Sequence, residues 1–128
     1  EPGHHRFNKT RMTIIRIKNL RVSTYIGFNP EELINKQEVV INLQIRVEVP
    51  PEAMENDEPV GIFDYKTITK KILSFVESGR FKLLEVLTQK ILNLTMEHEL
   101  VIWAKVEVDK PHALRYSESV STEMEVSR

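Results

Sequence analysis

The chain has 128 residues, of which 41% are hydrophobic and 29% are charged. This length excludes two well-packed domains, and this composition excludes a disordered or collagen-like protein. The 18 Lys and Arg residues nearly balance the 19 Asp and Glu residues, for a formal net charge of -1. We therefore do not expect nucleic acid as a partner. We also do not expect a membrane as a partner, since no apolar run approaches the ~20 residues of a membrane span.

The first residues are expected to lie outside the fold. Residues 1–11 are polar and contain the pair His4–His5, which is typical of an expression-tag remnant. A native flexible extension is the alternative. The prediction is therefore one domain over residues 12–128.

Two β-strands are predicted in the first half of the chain. The stretch from Thr13 to Ile26 is rich in Ile, Val, Thr and Tyr, and its alternation slips near Asn19 and Leu20, which indicates a bulge. Gly27 ends this strand, and a polar loop follows. Apolar residues occupy every second position from Val39 to Val49, and polar residues alternate with them from Asn42 on, which predicts a strand with one buried face.

Two helices are predicted in the middle of the chain. Residues 51–61 are polar and contain proline, which predicts a loop. Asp64 is a residue type that caps helices, and apolar residues at helical spacing follow it as far as Gly79, the predicted end. A second helix is predicted over most of residues 81–98 because Leu84, Leu87 and Ile91 form one stripe.

The last two elements are strands, predicted over residues 101–109 and 117–127. The order β-β-α-α-β-β predicts an α+β fold, in which a four-stranded antiparallel sheet carries both helices on one face. Open edges on such long strands invite pairing with other chains, and a closed ring of copies would remove them. We therefore expect a homo-oligomer.

Few residue types are available for catalysis. The chain has no cysteine, which excludes a cysteine nucleophile, a disulfide framework and thiolate-bound metal. This fits a reducing cytoplasm, where we expect the protein. The four histidines, two of them in the tag-like segment, do not form a zinc-binding pattern, and there is no glycine-rich phosphate loop.

Four side chains have both an ordinary and a chemical interpretation. Lys110 precedes Pro111 at a strand end, where a solvated lysine is usual, but a lysine in a partly desolvated cleft can act as a base. Glu85 in a first helical turn usually faces water, but it could accept two adjacent N–H groups from a flat heterocycle. Tyr65 is either a packing residue or a proton donor, and Glu32 is by default a solvated loop acid.

The chain contains six short motifs: Tyr25-Ile26-Gly27 with Glu32, then Gln37, Asp64-Tyr65, Arg80-Phe81, Leu83-Leu84-Glu85 and Lys110-Pro111. Taken in order, they resemble the dihydroneopterin aldolase/epimerase family of pterin metabolism. The resemblance covers about residues 13–127. Each motif is weak alone, and their order within the predicted fold makes the set specific.

Within that family, the segment after the third strand resembles the epimerase branch. It runs from Asp109 to Tyr116 and is followed by Ser119-Val120-Ser121. Typical bacterial aldolases tend to have a glycine soon after the Lys-Pro pair, where this chain has His112. The activity implied is epimerisation at C2' of 7,8-dihydroneopterin triphosphate by a retro-aldol and aldol sequence.

The resemblance implies the tunnelling fold (T-fold), in which four subunits join their sheets into a β-barrel and two such rings commonly stack into an octamer. The active sites then lie between neighbouring subunits. The substrate is a small pterin whose own ring imine accepts the electrons, so no cofactor and no metal are expected.

The resemblance also implies a role for each candidate residue. Glu85 holds the amino and N–H edge of the pterin, and Lys110 assists removal of the hydroxyl proton. Tyr65 from the neighbouring subunit transfers protons, and Glu32 contacts the hydroxylated side chain. Charge and proximity in sequence, rather than the resemblance, make His112 and Arg115 candidates for binding the triphosphate, because arginine suits phosphate geometry.

Two alternatives remain open. The first is a dihydroneopterin aldolase of folate biosynthesis, which releases 6-hydroxymethyl-7,8-dihydropterin and glycolaldehyde. The second is a pterin-binding or assembly module without turnover. The joint presence of Glu85, Lys110 and Tyr65 argues against a module without turnover. The identity of the product would distinguish an aldolase from an epimerase.

Overall fold

The structure, a computed structural model, describes residues 11–128. The elements in chain order are β1 (Arg11–Ile26), α1 (Pro30–Ile34), β2 (Gln37–Val49), α2 (Pro51–Asn56), α3 (Tyr65–Glu77), β3 (Arg80–Phe81), α4 (Leu84–Met96), β4 (Trp103–Pro111) and β5 (Ser119–Ser127). The predicted tag-like segment lies outside the described residues except for Arg11, which begins β1.

The strands form one sheet in the order β3-β1-β2-β4-β5. The four long strands are antiparallel to their neighbours, which confirms the predicted α+β fold. The sheet nevertheless has five strands rather than four, because Arg80 and Phe81 pair in parallel with Tyr25 and Ile26. A two-residue strand has no detectable alternation, so the sequence pattern had assigned Phe81 to the second helix.

The predicted bulge in β1 is confirmed. The register with β2 shifts between Ile17 and Leu20, and Asn19 has a left-handed φ of 54°. The Asn19 backbone N–H donates to Oδ1 of Asn42 at 3.0 Å, which satisfies the group that the bulge removes from the ladder. Apolar residues on both sides of the bulge therefore still face the core.

Two predicted loops contain short helices. The polar segment after Gly27 includes α1, and the stretch over residues 51–61 includes α2, so both loop predictions are corrected. Each helix has proline at its start, where the missing N–H costs nothing. Helices of 5 and 6 residues are too short to show the apolar periodicity on which the prediction depended.

The two long helices, of 13 residues each, cover one face of the sheet. Buried residues from both helices and from strands β2 and β4 form one core, which includes Ile72, Ile91, Ile45 and Val106. The predicted cap Asp64 is confirmed, since its side chain accepts from the first-turn backbone of α3. Within residues 11–128, no helix combines the length and the apolar character that a membrane span requires.

Candidate active site

An open cleft of about 290 Å³ lies where the end of β4 meets α1 and the first turn of α4. Its charged lining residues include Glu32, Glu85 and Lys110, and apolar side chains such as Leu83 and Val120 form part of the wall. Three of the residues predicted to carry the chemistry are therefore brought together, although they lie far apart in sequence.

The alternation of side chains along β4 places Lys110 in the cleft. In β4, Val106 and Val108 are fully buried, and Lys110 is the next residue on the same face. It pairs with Val120 of β5, beyond the part of the sheet that the helices cover. The Lys110 side chain is only 16% exposed, so the ammonium group sits against protein rather than in bulk water.

Lys110 forms an ion pair with Glu32. Its Nζ donates a hydrogen bond to Oε2 of Glu32, and Nε2 of Gln37 donates to the same oxygen at 2.9 Å. The backbone N–H of Asn29 reaches Oε1 at 3.3 Å. The hydrogen bond from Lys110, followed by that from Gln37, holds the pKa of Glu32 below its ordinary value, and burial opposes this only in part. Glu32 is therefore a carboxylate at neutral pH.

Gln37 supports this ion pair, although the prediction of functional side chains had not included it. Its Nε2 also donates to the carbonyl of Ile26 at 2.8 Å, so one amide joins β1, α1 and the start of β2. The sequence feature that could have identified Gln37 was its position in the alternation of side chains along β2. Gln37 lies on the same face of β2 as the buried residues Val39 and Ile41, where a polar side chain needs a partner.

Gly27 provides the space that the Glu32 carboxylate occupies. Its φ is +116°, a region that favours glycine, and a Cβ built at this position would lie 2.2 Å from Cδ of Glu32. The Gly27 N–H donates to the carbonyl of Phe81 at 2.9 Å, which fixes the turn after β1. Any larger residue would displace the carboxylate.

Glu85 approaches the cleft from the start of α4. Leu83 is the N-cap in an extended conformation, so Glu85 lies in the first helical turn and its side chain is exposed. A carboxylate in this position is favoured by the positive end of the helix dipole. A fixed anion beside apolar walls can accept hydrogen bonds from a flat heterocycle that carries adjacent N–H groups.

Tyr65 does not line the cleft of its own chain. It is the first residue of α3, is 51% exposed, and borders a separate cavity of about 490 Å³ together with Ile62 and Lys66. Its predicted role depended on delivery from a neighbouring subunit, and that role stays a prediction.

The two candidate triphosphate ligands, His112 and Arg115, are exposed and do not line the cleft either. His112 has a left-handed φ of 64°, which turns the chain at the end of β4. The Arg115 guanidinium lies 5.7 Å from the ring centroid of Tyr116. Ala113, between them, does line the cleft, so the loop that carries both residues borders it.

A metal site is not formed by the described part of the chain. Within residues 11–128, no group of three or more His, Cys, Asp or Glu side chains is arranged to bind a metal ion. What the cleft offers is two ammonium groups, two carboxylates and an apolar wall. These groups suit a ligand with a flat polar ring and a hydroxylated tail.

Comparisons with known proteins agree with this geometry. A protein-family profile described as dihydroneopterin aldolase (FolB) matches residues 15–125. A dihydroneopterin triphosphate 2'-epimerase of Pseudomonas aeruginosa is 52% identical over 86% of this chain and 89% of its own length. A protein of the same name from Escherichia coli is 49% identical over 84% and 89%. The crystal structure of Escherichia coli dihydroneopterin aldolase with neopterin superposes with a TM-score of 0.83 at 25% identity, covering 91% of this chain and 100% of the aldolase.

Proposed function

The chain belongs to the dihydroneopterin aldolase family, and from this we propose that it is a dihydroneopterin triphosphate 2'-epimerase. The observation that carries the proposal is the cleft in which Glu85 and the Glu32–Lys110 pair face one ligand space. The high identity to epimerases, against 25% to a structurally similar aldolase, supports epimerisation over cleavage.

Glu85 holds the pterin in this proposal. The dihydropterin ring presents an exocyclic amino group and an adjacent ring N–H on one edge, and a carboxylate can accept both. The apolar wall near Leu83 offers a surface for the ring face. This fixes the ring so that its side chain points toward Lys110.

Lys110 acts at the second side-chain carbon. It assists general-base removal of the proton from the C2' hydroxyl, through a water molecule. The C1'–C2' bond then breaks, its electron pair moves to C1', and the ring imine takes up the charge as an enamine. The C2' hydroxyl becomes an aldehyde. The substrate thus supplies its own electron sink.

Retention of the aldehyde distinguishes an epimerase from an aldolase. When the aldehyde turns and C1' attacks its other face, the C1'–C2' bond re-forms with C2' inverted, and the alkoxide takes back the proton. Tyr65 of a neighbouring subunit transfers protons at the side-chain hydroxyls, and Glu32 contacts the hydroxylated end. If the aldehyde leaves, the enamine is protonated at C1' and the outcome is cleavage.

His112 and Arg115 contribute to binding of the triphosphate. Their loop borders the cleft through Ala113, which supports a position near the far end of the substrate. A guanidinium group can make paired hydrogen bonds to phosphate oxygens. Arg115 would leave the ring of Tyr116 to do so.

The working form is a homo-oligomer of four or eight subunits that closes into a barrel, in the cytoplasm. Among residues 11–128, the outer edge of β5 has no neighbour in the sheet, and β1 is covered on its outer side only by the two residues of β3. Unpaired edges of this length favour pairing with further copies. The cysteine-free composition suits a reducing compartment.

A product analysis tests the function. The protein is incubated separately with 7,8-dihydroneopterin triphosphate and with 7,8-dihydroneopterin, and the oxidised products are resolved by chromatography. We expect mainly monapterin triphosphate from the phosphorylated substrate. A Lys110→Ala preparation, treated identically, controls for contaminating activity.

Two other results would overturn the proposal. Mainly 6-hydroxymethylpterin from the unphosphorylated substrate would identify an aldolase and would remove the basis for the roles of His112 and Arg115. Binding of either substrate without any product would identify a pterin-binding module.

A further inference from the structure

The cleft of a single chain carries too little positive charge for the proposed substrate. Its ionisable lining residues are Glu32, Glu85, Lys82 and Lys110, two acids against two bases. Lys110 is already paired with Glu32. Lys82 lies three residues before Glu85, in the segment that leads into α4. Beyond His112 and Arg115 of the bordering loop, a triphosphate tail needs further cations at the end opposite the pterin.

Lys66, the residue after Tyr65, is a candidate to supply such a cation. Lys66 and Tyr65 are both exposed and border the same cavity, together with Ile62 and Phe63. Tyr65 is the residue that the proposed function requires a neighbouring copy to insert into the cleft. A copy that delivers Tyr65 in this way also brings Lys66 to the hydroxylated end of the substrate.

The local structure keeps Lys66 available. Asp64 is the nearest acid in sequence, and its carboxylate is occupied as the helix cap, accepting from the N–H of Lys66 and from the hydroxyl of Thr67 at 2.7 Å. None of the 3 ion pairs found among residues 11–128 involves Lys66. The cap fixes the backbone of this first turn, and the Lys66 ammonium group is attracted by the Asp64 carboxylate without forming an ion pair with it.

We propose that Lys66, carried beside Tyr65 into the cleft of the adjacent subunit, binds the triphosphate and gives the enzyme its preference for the phosphorylated substrate. This rests on the proposed function, because it assumes that Tyr65 acts in trans. Lys66 is then a specificity-determining residue and leaves the reacting carbons to other side chains.

The first test compares kcat/KM for dihydroneopterin triphosphate with kcat/KM for dihydroneopterin. In Lys66→Ala, the ratio of the two values should fall about tenfold or more, as expected for loss of one charged hydrogen bond. Lys66→Arg should keep most of the ratio. Lys70→Ala, which removes an exposed lysine from the same helix, is the matched control and should match the wild type.

The results separate this inference from the function on which it rests. If the wild type epimerises the triphosphate but Lys66→Ala keeps the same ratio, or loses activity equally on both substrates, the role of Lys66 is wrong and the function stands. If the wild type turns over neither substrate, both are wrong.

A mixed assembly tests the delivery between subunits. Lys66→Ala and Lys110→Ala chains carrying different tags are co-expressed, and mixed oligomers are isolated by sequential purification. Every active cleft then belongs to a Lys66→Ala chain, and some clefts receive an intact Lys66 from a neighbour. The ratio should rise above that of the pure Lys66→Ala protein. An unchanged ratio would mean that Lys66 does not act in trans, which contradicts the proposal.

Discussion

Lys110 occupies a strand position that would ordinarily hold an aliphatic core residue. The two preceding positions on that face of β4, Val106 and Val108, are completely buried. Placing an ammonium group next in this series is tolerated only because Glu32 accepts its hydrogen bond. At this position, the protein therefore has a preorganised charge at the edge of the core in place of an apolar side chain that would pack there.

Lys110→Ala is expected to reduce both epimerisation and any cleavage by at least about 100-fold, the usual range for loss of a general acid–base group. The fold should persist, because the position borders an open cleft. Turnover of both substrates and the far-ultraviolet circular dichroism spectrum measure these two outcomes. Lys105→Ala, on the opposite face of the same strand, should remain active. Unchanged turnover in Lys110→Ala would refute its catalytic role.

Glu32 is expected to make stability depend on pH. Its folded-state pKa lies below the ordinary value of 4.5, so the ionised carboxylate stabilises the folded state above that pH. This stabilisation is lost as the pH falls through the lowered pKa. In urea unfolding, wild type should therefore exceed Glu32→Gln in stability at neutral pH, and the gap should shrink on acidification below 4.5. A gap that stays constant with pH would contradict this linkage.

Three of the four charged residues of the cleft were predicted from the sequence, whereas their supporting contacts were not. Glu85, Glu32 and Lys110 were identified from short motifs and do lie together. Gln37 belongs to the motifs that carry the resemblance, but its hydrogen bond to Glu32 depends on where β2 begins relative to α1. That relation is set by tertiary structure and leaves no local signal beyond strand parity.

At the scale of elements, hydrophobic periodicity predicted the long strands and helices and missed the short ones. Strand β2, with its alternation, and helix α3, with its cap, were recognised. Strand β3 and the helices α1 and α2 span 2 to 6 residues, which is less than the window in which a period can be recognised. Their formation depends on partners elsewhere in the chain.

The turn between β1 and α1 is expected to tolerate no side chain at Gly27. Gly27→Ala would place a methyl group against the Glu32 carboxylate and strain the left-handed φ, destabilising the protein by about 1–3 kcal/mol. It should also reduce activity, because the ion pair with Lys110 is displaced. Thermal unfolding and turnover report the two effects.

Gly61→Ala is the control for this change. Gly61 also has a positive φ, of +67°, but the nearest atom to its added Cβ is a ring carbon of Pro50, away from the cleft. That variant should lose stability through strain and keep its activity. Equal activity in both variants would show that Gly27 matters only for backbone conformation.

At the scale of the whole molecule, one row of residues on the solvent face of the sheet has opposite charges at its two ends. The row of paired residues runs Arg16, Gln44, Lys105, Glu125 from β1 to β5. This row thus begins with a cation on β1, at a position that β3 does not cover, and ends with an anion on the edge strand β5. Copies joined head to tail would bring opposite charges together at each seam, which favours a closed ring over random edge pairing.

Activity is expected to depend on assembly. Because the proposed site takes Tyr65 from a second subunit, specific activity should fall when dilution dissociates the oligomer. Sedimentation velocity and turnover, measured over the same concentration series, should change together. Full specific activity in a sample that sediments as a single chain would exclude a site shared between subunits.

The bond between Lys110 and Glu32 has a consequence for how the protein folds. The two residues are 78 positions apart in sequence, so closing the contact requires β1, β2 and β4 to be already aligned. Helices α3 and α4 depend on local contacts and can gain structure earlier. During refolding, helical signal should therefore recover before the ion pair forms. A nascent chain would acquire most of its secondary structure while the proposed catalytic site was still absent, so we expect partly folded copies to be inactive.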